Sequence, residues 1–179
     1  MTVEFFWTKV NEANLRQGDY LPNCLVPIPV FEPDNFSRNP GGQEIDVEVR
    51  EIDLIVLTQS CDLENQKAQF VALCPIYPIP EFEKANPGFA QKGRWNDVRR
   101  GRVEGLHLLA SPIDPSNNRD ALVVDFRQIY SLPFAYLIRH SERIGLRWRL
   151  QSPFLEHFSQ TFARFFMRVG LPSSIPEFK

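Results

Sequence analysis

Fifteen prolines, running from Pro22 to Pro176, constrain this chain more than any other feature. Proline lacks a backbone N–H and fixes φ, so it interrupts helices and is confined to the edges, bulges and ends of sheets. An all-helical bundle is excluded. What remains is a set of short strands joined by many turns. Fifteen phenylalanines supply the bulky core such a fold needs. With 43% hydrophobic and 23% charged residues, disorder, collagen-like structure and low complexity are excluded as well. A length of 179 residues suits a single domain spanning 1–179.

The strongest strand signal is Asp53 to Gln59, a continuous apolar run that fits burial on both faces. Gln69 to Ile76 is the next, ended by Cys74-Pro75. Gly105 to Ala110, Ala121 to Tyr130 and Arg147 to Leu150 read as further strands. The run Tyr20 to Val30, with Pro22, Pro27 and Pro29, reads as at most an edge strand or an extended segment. A short helix is expected near residues 7–16. Residues 31–44 and 78–102, rich in Pro, Gly and charge, read as long loops inserted into this frame.

The closing segment, 152–170, has the clearest helical pattern. Ser152 stands at the N-cap, Pro153 at the first helical position, and Gly170 just past the end with Pro172 beyond. Phe154, Phe158, Phe162, Phe165, Phe166 and Val169 form one apolar face, which docks on the strands or on a second copy of the chain. The expected fold is therefore mainly β (α+β). It is a small, partly open β-barrel over 1–150, with long Pro-rich loops and a C-terminal amphipathic helix.

Charge is uneven. Residues 1–89 hold six Lys/Arg against fourteen Asp/Glu, a balance of −8, while residues 90–179 hold fourteen against eight, a balance of +6. Such a split marks either an anionic partner for the second half or differently solvated faces. Three widely spaced cysteines, an opening without a basic and apolar leader, and no apolar run near the length that spans a bilayer lead us to expect a cytoplasmic protein off the membrane.

The order of pieces resembles the PemK/MazF-type toxin fold, an SH3-like barrel. Gln17-Gly18-Asp19-Tyr20 is similar to that family's opening strand, and Leu54 to Ser60 to its central apolar strand. Val71 to Ile76 is similar to its strand ending in Pro-Ile, and Val123 to Ile129 to its later strand. The stretch Thr58-Gln59-Ser60-Cys61-Asp62-Leu63, followed by a Pro-Ile strand, also resembles a pattern in uncharacterised bacterial proteins. The toxin resemblance implies a metal-independent endoribonuclease with an antitoxin partner. The chain departs from it at Tyr77, where the family has its active Thr. The catalytic Arg of the loop before the central strand has only Arg50, and then Arg38, as counterparts. A shared fold is in any case a weak warrant for a shared activity.

Four constellations carry chemistry. Cys61-Asp62, on a turn after a buried strand, suits a nucleophile if His107, His140 or His157 serves as its base. The alternative is a small apolar side chain beside a turn-capping Asp. Cys24, Cys61, Cys74 and His107 would satisfy tetrahedral zinc, although no Cys-x-x-Cys pair is present, so no cofactor is expected. On the closing helix, His157, Gln160, Thr161, Arg164 and Arg168 share one face that could bind an anion, with His157 as acid or base. Finally, Lys92, Arg94, Trp95, Arg99, Arg100 and Arg102, together with Arg147-Trp148-Arg149, pair Arg with aromatics as nucleic-acid surfaces do.

The leading expectation is a binding module that engages nucleic acid, RNA ahead of DNA, or a protein partner through its basic C-terminal half. The alternatives are a toxin-type endoribonuclease built on Arg50 or Arg38 with His157, and a subunit of a larger bacterial complex docked through the Phe-rich helix.

Overall fold

The computed structural model describes residues 6–30 and 46–167, and shows an α+β fold with a mostly antiparallel sheet. The loop expected at 31–44, Arg38, Arg168, Val169 and the Gly170/Pro172 helix stop lie outside the described residues. Eight strands are formed: β1 (Trp7–Val10), β2 (Tyr20–Pro29), β3 (Val47–Val56), β4 (Phe70–Pro78), β5 (Leu106–Leu109), β6 (Leu122–Asp125), β7 (Tyr130–Pro133) and β8 (Arg147–Leu150). Five helices accompany them: α1 (Ser60–Glu64), α2 (Ile79–Ala85), α3 (Arg94–Arg99), α4 (Phe134–Ile144) and α5 (Phe154–Phe166).

Six strands form one bent sheet in the order β2-β3-β4-β6-β5, with β7 also on β4. The first half of β4 pairs with β7 and its last residues pair with β6. Pro75 falls in the gap between these two ladders, where its missing N–H costs no bond, so the strand runs on to Pro78 instead of stopping at Cys74-Pro75. The proline-bearing β2 occupies an edge of this sheet. β1 and β8 form a separate ribbon, tied to the start of β2 by a bridge between Asp19 and Arg149. The Trp7 indole donates to the Ala110 carbonyl just past β5 (2.7 Å). Among the described residues no backbone ladder joins β1 to β5, so the sheet curls without closing.

Burial on two faces explains the continuous apolar runs. Ile55, Cys74, Ile76, Val124 and Phe126 meet Phe158 of α5 inside the curl. Leu54, Val56, Val71 and Leu73 meet Leu137 of α4 and Leu63 of α1 on the other side. Phe158 is fully buried, and Phe162 and Phe165 pack on the same core, so α5 docks on its own chain. Pro153 takes the N-cap position, one residue later than expected, and the Ser152–Pro153 bond is cis.

Four expectations are corrected. The opening segment is strand and not helix: paired to β8 from Trp7↔Leu150 to Val10↔Arg147, it sends Trp7 into the core, and tertiary pairing outweighs local preference. The 78–102 stretch is not a loop but α2, a 3-10 turn (Pro87–Ala90) and α3; Phe82, Phe89, Trp95 and Val98 pack there on Leu106 and Val123. Residues 121–130 form β6 and then a turn before β7, because Asp125 binds Arg127 and its neighbours locally. Lastly, α4 was not anticipated, although Pro133 before it and Gly145 after it mark its ends.

A buried ionic knot anchors the ribbon. Asp19 is fully buried and accepts from Arg147 Nε (2.9 Å) and from Arg149 Nε and Nη2, as well as from the Arg16 N–H (3.1 Å). Both guanidinium groups reach on to the segment before β2. Arg147 donates to the Glu12 and Asn14 carbonyls (both 2.7 Å), and Arg149 to Glu12 Oε2 (3.0 Å). Burial works against the charge of Arg149, but its interactions with Asp19 and Glu12 together outweigh burial and raise its pKa. Gly18, next to Asp19, holds φ +82 with Leu155 and Leu150 pressed against it. A Cβ there would sit 2.9 Å from Leu155 Cδ1, which only glycine avoids.

Candidate functional site

Strand β5 lies at the open edge of the sheet, and α5 runs beside it. The two bound a cleft of about 630 Å³, whose other wall is the end of α3 and the 99–104 turn. That volume lies within the range of ligand clefts, roughly 300–1,000 Å³. α5 contributes Phe154, His157, Thr161, Arg164 and Phe165, a stripe at spacings of three and four. β5 contributes Leu106 to Leu109, and the turn contributes Arg99, Arg100, Val103 and Glu104.

The basic residues singled out from sequence divide sharply. Arg99, Arg100, His157 and Arg164 share this cleft, and none of the three arginines is ion-paired among the described residues. Glu104 is the one acidic side chain in the lining. Trp95 is instead half-buried against a core cluster, T-stacked on Phe82 and donating its indole N–H to Glu83 (2.8 Å). Arg94 lies over the Phe89 ring, and Arg102 is paired with Asp97 at 3.5 Å. Arg147 and Arg149 are spent on Asp19, and Trp148 is covered by Lys9, 4.8 Å from its centroid. The aromatic rings of the expected Arg–aromatic surfaces are therefore already engaged by neighbouring side chains.

His107 forms part of the cleft floor. Only 6% exposed, its ring lies 5.2 Å from that of His157 and packs on Phe126 and Phe158. Burial, with the charge of His157 second, pushes its pKa down to about 4. The sign follows from linkage. The unfolded chain takes up a proton near pH 6.5 that the folded chain refuses until about pH 4, so stability rises with pH across that window. The full span corresponds to about 3 kcal/mol. We expect His107→Phe to flatten this part of the stability curve in denaturant melts between pH 4 and 7. An unchanged slope would contradict the assignment.

The other constellations do not assemble. Cys24 and Cys74 are buried in different cores, and Cys61 is exposed on the first turn of α1. The strand alternation that buries two faces keeps Cys24, Cys61, Cys74 and His107 apart, and no metal-ligating group of three exists among the described residues. Burial pushes the Cys24 thiol up to about 12 and raises Cys74 too, the reverse of a metal-binding or nucleophilic thiol. The polar neighbours of Cys61 Sγ are Gln59 Oε1 (3.7 Å) and Asp62 Oδ1 (3.9 Å), and no histidine is among them. His140 is committed to the Pro22 carbonyl (2.8 Å) and stacked on Tyr136. The hydroxyls beside Cys61 tie the chain to its neighbours: Thr58 Oγ1 accepts from Ala72 N–H (2.8 Å), and Ser60 Oγ from Gln17 N–H (3.1 Å).

Arg50 lies within β3, not in a loop before it, and is clamped by Glu48 through two bonds of 2.9 and 2.7 Å. It does not line the cleft that holds His157. Tyr77 is half-buried on β4, its ring 5.8 Å from Phe82. Sequence reasoning missed the far wall: Phe6 and Phe154 stack at 3.5 Å and close one end of the cleft. No local signal marks it, because Phe6 and Phe154 meet across 148 positions. No protein-family model matches the chain, and no curated protein is significantly similar to it.

Proposed function

We propose that this protein is a cytoplasmic binding module on an SH3-like, partly open barrel frame, and that the β5–α5 cleft takes an anionic chain. The observation that carries this reading is the convergence of Arg99, Arg100 and Arg164, unpaired among the described residues, on one concave surface with His157. A cleft lined by charges of one sign focuses potential and favours anionic ligands. The +6 balance of residues 90–179 acts in the same direction.

Fluorescence anisotropy with labelled polyglutamate, single-stranded RNA and duplex DNA, each at low and high salt, tests the proposal. We expect salt-sensitive binding of at least one single-chain polyanion, weakened about tenfold by the triple change Arg99→Ala, Arg100→Ala and Arg164→Ala. Duplex DNA is too broad to enter such a cleft and should bind weakly. Absence of salt-sensitive binding to all three would overturn the reading.

A second reading is favoured by one observation, the His107–His157 pair at 5.2 Å. Two imidazoles beside arginines are the parts needed for acid–base attack on a phosphodiester without metal. Intact RNA after incubation with the purified protein would dispose of it.

A further inference from the structure

We propose that two copies of this chain join through the outer edge of β3, strand against strand, making one sheet continuous across a two-fold axis. The inference concerns a surface away from the β5–α5 cleft and does not depend on what that cleft binds.

The first ground is the backbone. β2 and β3 run together as a ladder in the register Cys24↔Ile52 to Pro29↔Val47. Just past its end the Val30 N–H donates to the Asp46 carbonyl (2.8 Å), which makes Val30–Asp46 a hydrogen-bonded pair. Such pairs alternate in antiparallel ladders, so Glu48 and Arg50 spend their backbone groups on Ile28 and Val26. Val47, Val49 and Glu51 turn theirs to the other side. There β4 pairs with β3 only from Leu54 to Val56, and among the described residues nothing pairs with 47–51. All five of these residues are exposed, Val47 at 53% and Val49 at 59%, so the edge is open as well as unpaired.

The second ground is that the opposite edge of the same ribbon is closed. Pro27 and Pro29 fall at its outward-facing positions and have no N–H to offer. The outward Leu25 N–H is taken by the Tyr136 hydroxyl (2.7 Å). One edge is thus guarded and the other is not, and an unguarded edge is a template for pairing with another chain.

The third ground is the side chains, which select the occupant. Antiparallel pairing of β3 with its own copy, centred on Val49, sets Val49 against Val49 and Val47 against Glu51 as hydrogen-bonded pairs. Glu48 then lies directly opposite Arg50 of the second copy, twice over, at the closer spacing of a non-hydrogen-bonded pair, where opposite charges attract. The next register in one direction would set Glu48 against Glu48, and in the other Arg50 against Arg50, and both repel. Charged residues on an edge commonly guard it, but these two alternate in sign and so admit one register while rejecting its neighbours. Such self-complementarity is what a two-fold interface requires.

Sedimentation velocity on the full chain over a range of concentrations tests this, with amide exchange to locate the contact. We expect a reversible dimer whose formation slows exchange at Val47, Val49 and Glu51. Glu48→Arg and Arg50→Glu should each weaken dimerisation about tenfold, since each turns both cross-copy attractions into repulsions. Mixed together, the two variants should dimerise again, because each then meets the opposite charge. Val49→Pro should abolish the dimer and leave the circular dichroism of the chain unchanged, since that N–H is not used in the β2–β3 ladder. A chain that stays monomeric at every concentration would overturn the proposal. So would a dimer indifferent to these variants, or a mixture that associates no better than its components, because the contact would then lie on another face.

Discussion

Replacing Asp19 by alanine lowers the free energy of unfolding by about 3–5 kcal/mol, the loss expected when one partner of a buried ion pair is removed and the other is left uncompensated. Here two charges are stranded. Arg147 is buried outright and Arg149 nearly so, and Asp19 is the carboxylate that bonds both. A stability difference of that size is a large share of the total for a domain of ordinary stability. Because the knot also holds the Glu12 and Asn14 carbonyls, the β1–β8 ribbon should loosen first, seen as faster amide exchange at Trp7–Val10 and Arg147–Leu150. Glu12→Ala is the control: its carboxylate is half exposed and touches only Arg149, so its removal should leave the midpoint nearly unchanged. Equal effects from the two variants would show that the knot is not the anchor.

Phe158→Ala comes next in size. The side chain is fully buried where α5 meets the sheet, with ring neighbours Phe126 at 5.5 Å and His107 at 5.8 Å. Truncating a phenylalanine at such a site costs about 3–5 kcal/mol, part lost transfer and part cavity. α5 also carries His157, Thr161 and Arg164, so loosening it should weaken anion binding at temperatures where the variant remains folded. Phe166→Ala, on an exposed ring of the same helix, separates the effects: a shift within about 0.5 kcal/mol is expected for a surface position. Thermal melts and anisotropy on the two variants decide it. Similar losses for both would mean that α5 is held by its outer face, contrary to the packing described above.

The candidate site was legible in sequence only in part. His157, Thr161 and Arg164 shared a helical face on spacing alone, and Arg99 and Arg100 stood out as part of a basic stretch. Their meeting in one cleft depends on α3 turning the chain back over β5, which no local pattern encodes. Arg94 and Arg102 belonged to the same stretch but are engaged by Phe89 and Asp97, because a turn of helix points neighbours in different directions. The aromatic residues misled for a related reason. In sequence Trp95 and Trp148 look like stacking platforms; in the fold one packs half-buried on a core and the other is capped.

By itself the sequence determined the local units: the apolar strands at Leu54–Val56 and Val71–Ile76, the proline-marked edge at β2, and the phenylalanine stripe of α5. Each follows from side-chain period and proline chemistry within a few residues. Tertiary structure alone decided that the opening segment is a strand and that Arg147 and Arg149 are internal ties. These outcomes depend on pairings between residues more than a hundred positions apart, where burial and hydrogen-bond satisfaction across the whole chain outweigh local preference.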